Sequence, residues 1–363
     1  MGQLGISIYP ERSTFEKDKA YLDLAHKYGF KRVFTSLLQV NDDKEKVLAD
    51  FKKVVDYANS LDFDVMVDIN PALFGQLNIS YDDLSFFHEM GADGIRLDLG
   101  FTGAEEAKMT RNPYGIKVEI NMSSGTRYVD NIMSYSPNVD HLLGSHNFYP
   151  HRYSGLEYQH FVNCSKQFRQ YNINTMAFVN SHSATFGPWP TQDGLCTLED
   201  HRDLAIGTQV KHFLLTGLID DITIGNAYAS EEELKEMSEA FFSENPKIKV
   251  DCLDTITEDE RVVLFENLHN YRGDRSAYIL RSTMTRIKYK DLPFPKTNTP
   301  DMVRGDVLID NVDYGQYKGE TQIALKEMKN DGRVNVVGKI AKDELFLLDF
   351  LKPWSSFELI ENK

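Results

Sequence analysis

Eight short runs of β-branched and aliphatic residues recur through roughly the first two thirds of the chain, and nothing else in the sequence restricts the fold as strongly. They are LGISIYP (4–10), RVFTSL (32–37), DVMVDINP (64–71), GIRLDLG (94–100), KVEINMS (117–123), HLLGSHNFYP (141–150), TMAFVNSH (175–182) and DITIGNA (221–227). Each has the length of a strand, and the segments between them, such as FEKDKAYLDLAHKYG and KEKVLADFKKVVDYANSL, are amphipathic with a helical period. Several of these segments end at a glycine just ahead of the next run, where a helix stops. Eight strand-plus-helix units over residues 1–245 predict an α/β fold, a TIM-type (β/α)8 barrel. A doubly wound sheet competes on rhythm, but its first strand-to-helix turn would need a GxGxxG, and YPERST has none.

Past the helix EEELKEMSEAFFS and a linker at ENPK the texture changes. VDCLD, RVVLFENL, SAYILRST, DVLIDNV, GETQIALKEM, VNVVGKIA and ELFLLDFL read as short strands between turn signals such as YRGDR, PFPKTNTP and NDGR. Residues 248–363 are therefore expected to form a second, smaller, mostly β domain.

Composition removes several function classes. The 55 acidic against 40 basic side chains give a net charge of -15, which disfavours a surface that tracks nucleic acid. Three widely spaced cysteines, Cys164, Cys196 and Cys252, support neither a disulfide framework nor a zinc site, and a reducing compartment follows. With no signal-peptide pattern and no apolar run of spanning length, the expected location is cytoplasmic, with no membrane partner. A homo-oligomer is compatible with all of this.

In such barrels chemistry collects at the C-terminal ends of the strands. Alternation puts Asp68 and Asn70 on one face of strand three, Arg96 and Asp98 on one face of strand four, and Glu119 and Asn121 on one face of strand five. Three neighbouring strands thus each carry a carboxylate inside an otherwise apolar run, which is costly unless the group is paired or working. Asp98 and Glu119 are the expected catalytic pair, one as general acid and the other as nucleophile or base, with Asp68 in reserve. Adjacent strands lie about 4.8 Å apart, close to the roughly 5 Å between the carboxylates of a retaining glycosidase. Strand six adds His146, Asn147 and Tyr149, the following loop Arg152, and strand seven Asn180 and His182. With Asn70 and Asn121 these are expected to bind substrate hydroxyls and an anionic group, and Phe186 and Trp189 offer faces for a sugar ring. In the second domain, Arg275, Arg281, Arg286 and Arg304 supply cations, and YGQYKGE supplies Tyr314, Tyr317 and Lys318, with Tyr317 the residue expected at a ligand.

Two other readings fit the same residues. Asp68, Asp98, Glu119, His146 and His182 could cage a divalent metal for a sugar-phosphate isomerase or aldolase, although no tight motif such as HExxH is present. A non-catalytic carbohydrate-binding protein is the third, disfavoured by so many interior carboxylates. The glycosidase reading requires neither metal nor cofactor.

GISIYPERST, the strand ends DINP and LDLGF, KVEINMSS, GSHNFYPHRYSGL and RGDVLIDNVDYGQYKGETQIAL, in that order and across essentially the whole chain, resemble the bacterial 6-phospho-N-acetylmuramidase family, whose older members carry the label "outer surface protein". The resemblance implies a TIM-type barrel followed by a cyclophilin-like β domain, and a cytoplasmic glycosidase of cell-wall recycling. It further implies a phosphorylated disaccharide as substrate, with cleavage of N-acetylmuramic acid 6-phosphate from N-acetylglucosamine and no required metal.

Overall fold

Each of the eight runs contains a strand: β1 Leu4–Ile8, β2 Arg32–Ser36, β3 Asp64–Ile69, β4 Gly94–Leu97, β5 Lys117–Asn121, β6 Leu142–Ser145, β7 Asn174–Val179 and β8 Asp221–Ile224. They pair in parallel in chain order, and β8 returns to β1 to close a barrel. The computed structural model describes residues 2–36, 44–69, 74, 75, 79–191 and 193–362. Most strands stop short of the apolar run that announced them, so that DLG, HNFYP, NSH and GNA fall in the loops at the C-terminal rim. Alternation then sorts the side chains. Ile95 and Leu97 of β4 and Val118 and Ile120 of β5 are at most 1% exposed and join the apolar layer beneath the helices. Their neighbours Arg96 and Glu119 face the interior.

Closure at the β1–β8 seam is extended by side chains. Backbone pairing covers Leu4 with Ile222 and Gly5 with Thr223. Beyond it the Ser7 hydroxyl donates to the Ile224 carbonyl (2.6 Å) and the Tyr9 hydroxyl to the Gly225 carbonyl (2.5 Å). Gly5 is required at this seam, since a Cβ there would stand 2.4 Å from Thr223 Oγ1.

The chain divides into two units, Met1–Phe241 and Phe242–Lys363. The second holds a seven-stranded sheet in the order β10-β15-β9-β14-β12-β13-β11, with β9 Lys247–Cys252, β10 His269–Asn270, β11 Ile279–Ser282, β12 Asp306–Asp310, β13 Thr321–Ala324, β14 Val334–Ile340 and β15 Ser356–Glu361. Two expected strands are helical instead. RVVLFENL lies largely in the α-helix Glu258–Phe265, and ELFLLDFL in the 3-10 helix Lys342–Asp349. In the first, Thr257 and Glu260 form a reciprocal cap, and Glu260, Val263 and Leu264 are buried at helical spacing. In the second, Glu344, Leu347 and Leu348 repeat that spacing, and Glu344 accepts the Lys249 amide at 2.8 Å. Conversely, β15 in SFELIE was not expected, and it pairs parallel to β9. Among the described residues no helix is long and apolar enough to cross a membrane. All three cysteines are free.

The Thr257 cap is testable. Thr257→Ala removes the hydroxyl that accepts the Glu260 amide, and should lower stability by about 1 kcal/mol in chemical denaturation.

Candidate active site

The parallel register lines up Asp68 of β3 with Arg96 of β4, and Arg96 with Glu119 of β5. Because all three point inward, the barrel interior carries charge instead of a purely apolar filling. Arg32, the first residue of β2, reaches across the interior to Glu119 and also pairs with Asp221, the first residue of β8, at 3.3 Å. Arg96 Nε lies 3.9 Å from the other Glu119 oxygen, its Nη1 2.7 Å from Asp68 and 3.6 Å from Asp98. The result is a ladder of alternating sign, Asp221–Arg32–Glu119–Arg96–Asp68, running from the strand starts to the C-terminal rim. Apart from Asp68 at 11%, no side chain in it is more than 5% exposed. Buried charges are tolerated only when so paired, since desolvation of each costs several kcal/mol.

Arg96 is the pivot at the rim. Nε donates to Ser145 Oγ (2.8 Å), Nη1 to Asp68, and Nη2 to the Asn147 side-chain oxygen, so its planar fork is fixed on three sides. Burial pushes the Asp68 carboxyl up to about 6, against the opposing pull of Arg96 and with support from the nearby charges of Asp98 and Glu119. Asp98 lies just past the end of β4, and its side chain is 44% exposed.

Above Arg96 opens a cavity of about 310 Å³. Its polar floor is Ser36, Asp68, Arg96, Asp98 and Asn147. Its apolar wall is Phe34, Leu99, Phe148, Pro188 and Trp189. Phe34 and Phe148 are braced edge-on by Phe178, with ring centroids 5.1 and 5.0 Å away. A pocket with one flat apolar side and a cluster of hydrogen-bonding groups opposite suits a sugar ring, whose faces are apolar and whose rim is hydroxylated.

The expected residues divide among several places. Asp68, Asp98 and Asn147 meet in the cavity. Glu119 does not: its side chain is 0% exposed and locked beneath Arg96, so it has no access to a ligand there. His146 is also corrected. It is 0% exposed and lies outside the barrel wall, its Nδ1 on Ser123 and its Nε2 on Ser165 of the helix Tyr158–Arg169, because strand alternation turns it away from its inward neighbours Ser145 and Asn147. Burial depresses its imidazole to about 3, so it is held neutral. Asn121 lines a smaller hollow with Asp98 and Tyr128. Arg152, Asn180 and His182 line a separate one of about 440 Å³ at the ends of β7 and β8, where Arg152 is held bidentately by Asp203 (2.6 and 2.9 Å). Tyr149 is half-buried and lends its carbonyl to Arg202. Asn70 lies outside the described residues. Tyr317 belongs to the second unit, where the Arg286 guanidinium stands 4.9 Å from its ring centre. The five groups of the alternative metal cage do not converge, and among the described residues no set of three or more His, Cys, Asp or Glu side chains could hold a metal ion.

Arg32, which anchors the ladder, and Phe34 and Ser36, which line the cavity, are residues that the sequence reading passed over. Their signal was available, since a charged residue opening the alternation in RVFTS marks an inward row.

The chain matches two family models: residues 4–239 match "6-phospho-N-acetylmuramidase, N-terminal" and residues 246–360 match "6-phospho-N-acetylmuramidase, C-terminal". Among solved structures it is similar to an uncharacterized protein from B. cereus, at 48% identity over 99% of each chain with a TM-score of 0.92. It shares its fold with a conserved protein of unknown function from Enterococcus faecalis, at 23% identity over 99% of this chain and 96% of that one, TM-score 0.76. No curated protein matches it.

The ladder makes Glu119 a stability residue. Glu119→Ala takes from two buried guanidiniums, Arg32 and Arg96, one of the carboxylates each holds and should cost roughly 3–5 kcal/mol in urea denaturation, far more than loss of a surface carboxylate.

Proposed function

The chain belongs to the 6-phospho-N-acetylmuramidase family, and on that premise we propose that it hydrolyses the glycosidic bond between N-acetylmuramic acid 6-phosphate and N-acetylglucosamine, with Asp68 and Asp98 as the working carboxylates. The observation that carries this reading is the sharing of one guanidinium nitrogen, Arg96 Nη1, by two carboxylates at the floor of an aromatic-walled cavity. Two carboxyl groups held close together with different surroundings are what glycoside hydrolysis requires. Asp68 is buried and its proton affinity is raised, which suits the general acid that protonates the leaving oxygen. Asp98 is half-exposed and faces the same space, and serves as the nucleophile or as the base that activates water. Arg96 keeps the pair in register through its bonds to Ser145 and Asn147. The wall of Phe34, Phe148 and Trp189 receives a sugar face. On this reading the enzyme works in the cytoplasm, in keeping with its three free cysteines.

The test is kinetic. Asp68→Asn and Asp98→Asn should each lower kcat/KM on the phosphorylated disaccharide by roughly 10²–10⁴-fold while leaving the circular dichroism spectrum unchanged; near wild-type turnover in both overturns the assignment. The pH profile gives a second handle. A general acid works only while protonated, and Asp68 loses its proton as the pH rises through about 6. The wild-type kcat/KM should therefore fall above that value, and Asp68→Asn should erase this limb together with most of the activity.

A further inference from the structure

The second unit contains a group of side chains that the barrel chemistry leaves unused. On β11, Arg281 pairs in register with Gln322 of β13, which pairs with Leu308 of β12. Alternation therefore puts Asp310, two residues beyond Leu308, and Glu320, two residues before Gln322, on that same face. Glu320 is fully buried and takes Arg281 bidentately, Nε at 2.5 Å and Nη2 at 3.1 Å. A second guanidinium, that of Arg286, approaches the same carboxylate only to 3.6 Å and lies over the Tyr317 ring. The two arginine side chains are 22% and 23% exposed, at the opening of a cluster whose carboxylates are sealed behind them.

Asp310 is the anomaly. It is 1% exposed, its Oδ2 accepts from Gln322 at 3.1 Å, and its Oδ1 is buried without a hydrogen-bond partner among the described residues. An orphaned buried carboxylate oxygen is costly and calls for a cause, among them a water, ion or ligand that completes it. No charge-pairing explanation suffices, because Glu320 already occupies Arg281.

We propose that Arg286, Arg281, Tyr317 and Asp310 form a ligand site of the second unit for a hydroxylated anion, a sugar carrying a phosphate or a carboxylate. The anionic group sits on the outer edges of the two guanidiniums, which donate in a planar fork suited to oxyanions. With the loosely held Arg286, only 3.6 Å from Glu320 at its nearest, drawn outward onto the anion, a hydroxyl of the ligand or a water it holds reaches the orphaned oxygen of Asp310. The Tyr317 ring, already stacked on Arg286, keeps that guanidinium flat toward the ligand. Burial and the neighbouring Glu320 push the Asp310 carboxyl up to about 8 against the pull of Arg281, Arg286 and Arg333, so near neutrality it is largely protonated and able to donate to such a ligand.

The experiment is calorimetric titration of the full chain with glucosamine 6-phosphate, glucuronate and neutral glucose. The expected result is a binding event for at least one of the two anions and none for glucose; which anion binds identifies phosphate or carboxylate as the group read. Arg286→Gln should weaken that event by about tenfold or more, whereas Asp68→Asn in the barrel leaves it in place. Unchanged binding in Arg286→Gln, equal binding of glucose, or no binding of either anion overturns the proposal. These ligands contain no bond for a glycosidase to cleave, so failure here leaves the reading of Asp68 and Asp98 intact.

Discussion

The ion ladder inside the barrel is the constraint from which most of the first unit follows. A closed eight-stranded barrel normally fills its interior with branched apolar side chains in layers. Here Asp221, Arg32, Glu119, Arg96 and Asp68 occupy that space, each desolvated and each compensated by the next. Such an arrangement stands because the attraction between partners in a low-dielectric interior offsets the loss of water by both. It also dictates what surrounds it. Ser145 and Asn147 at the β6 end supply acceptors to the Arg96 fork. The candidate active site is the upper end of this ladder, where the last guanidinium meets solvent and holds one buried and one half-exposed carboxylate.

Much of the fold was legible because the strands of a parallel barrel are buried on both faces and stand out as apolar runs. The same property explains the errors in detail. Interior position could be read from alternation, which correctly aligned Asp68, Arg96 and Glu119, but depth along the barrel axis could not. Glu119 sits one level too low to see the cavity, with Arg96 above it. His146 was misassigned because the strand end was taken as uniformly inward, whereas period-two geometry turns every other residue toward the helices. In the second unit RVVLFENL and ELFLLDFL are rich in strand-forming residues, yet a reciprocal cap at Thr257 and burial at a spacing of three and four select helices. The TEDE that precedes the first of them was a visible sign of that cap.

The two units differ in how they manage charge. The barrel threads its ions through the core and exposes the last of them, while the second unit gathers carboxylates behind a pair of partly exposed arginines on one sheet face. For a protein of net charge -15, the second unit leaves two guanidiniums partly exposed in front of its carboxylates, where an anion meets local attraction in spite of the global sign. The bidentate hold of Asp203 on Arg152 is a contrasting case, a cation already neutralised at the rim of its own hollow.

The continuity of the ladder has an evolutionary consequence. Because Arg32 is shared by Glu119 and Asp221, and Arg96 by Glu119 and Asp68, losing either guanidinium takes from Asp221 or Asp68 its partner in the ladder, whereas losing one carboxylate leaves its arginine with the other. The two arginines are therefore the residues least free to drift singly, and one of them, Arg32, opens its strand away from the cavity lining.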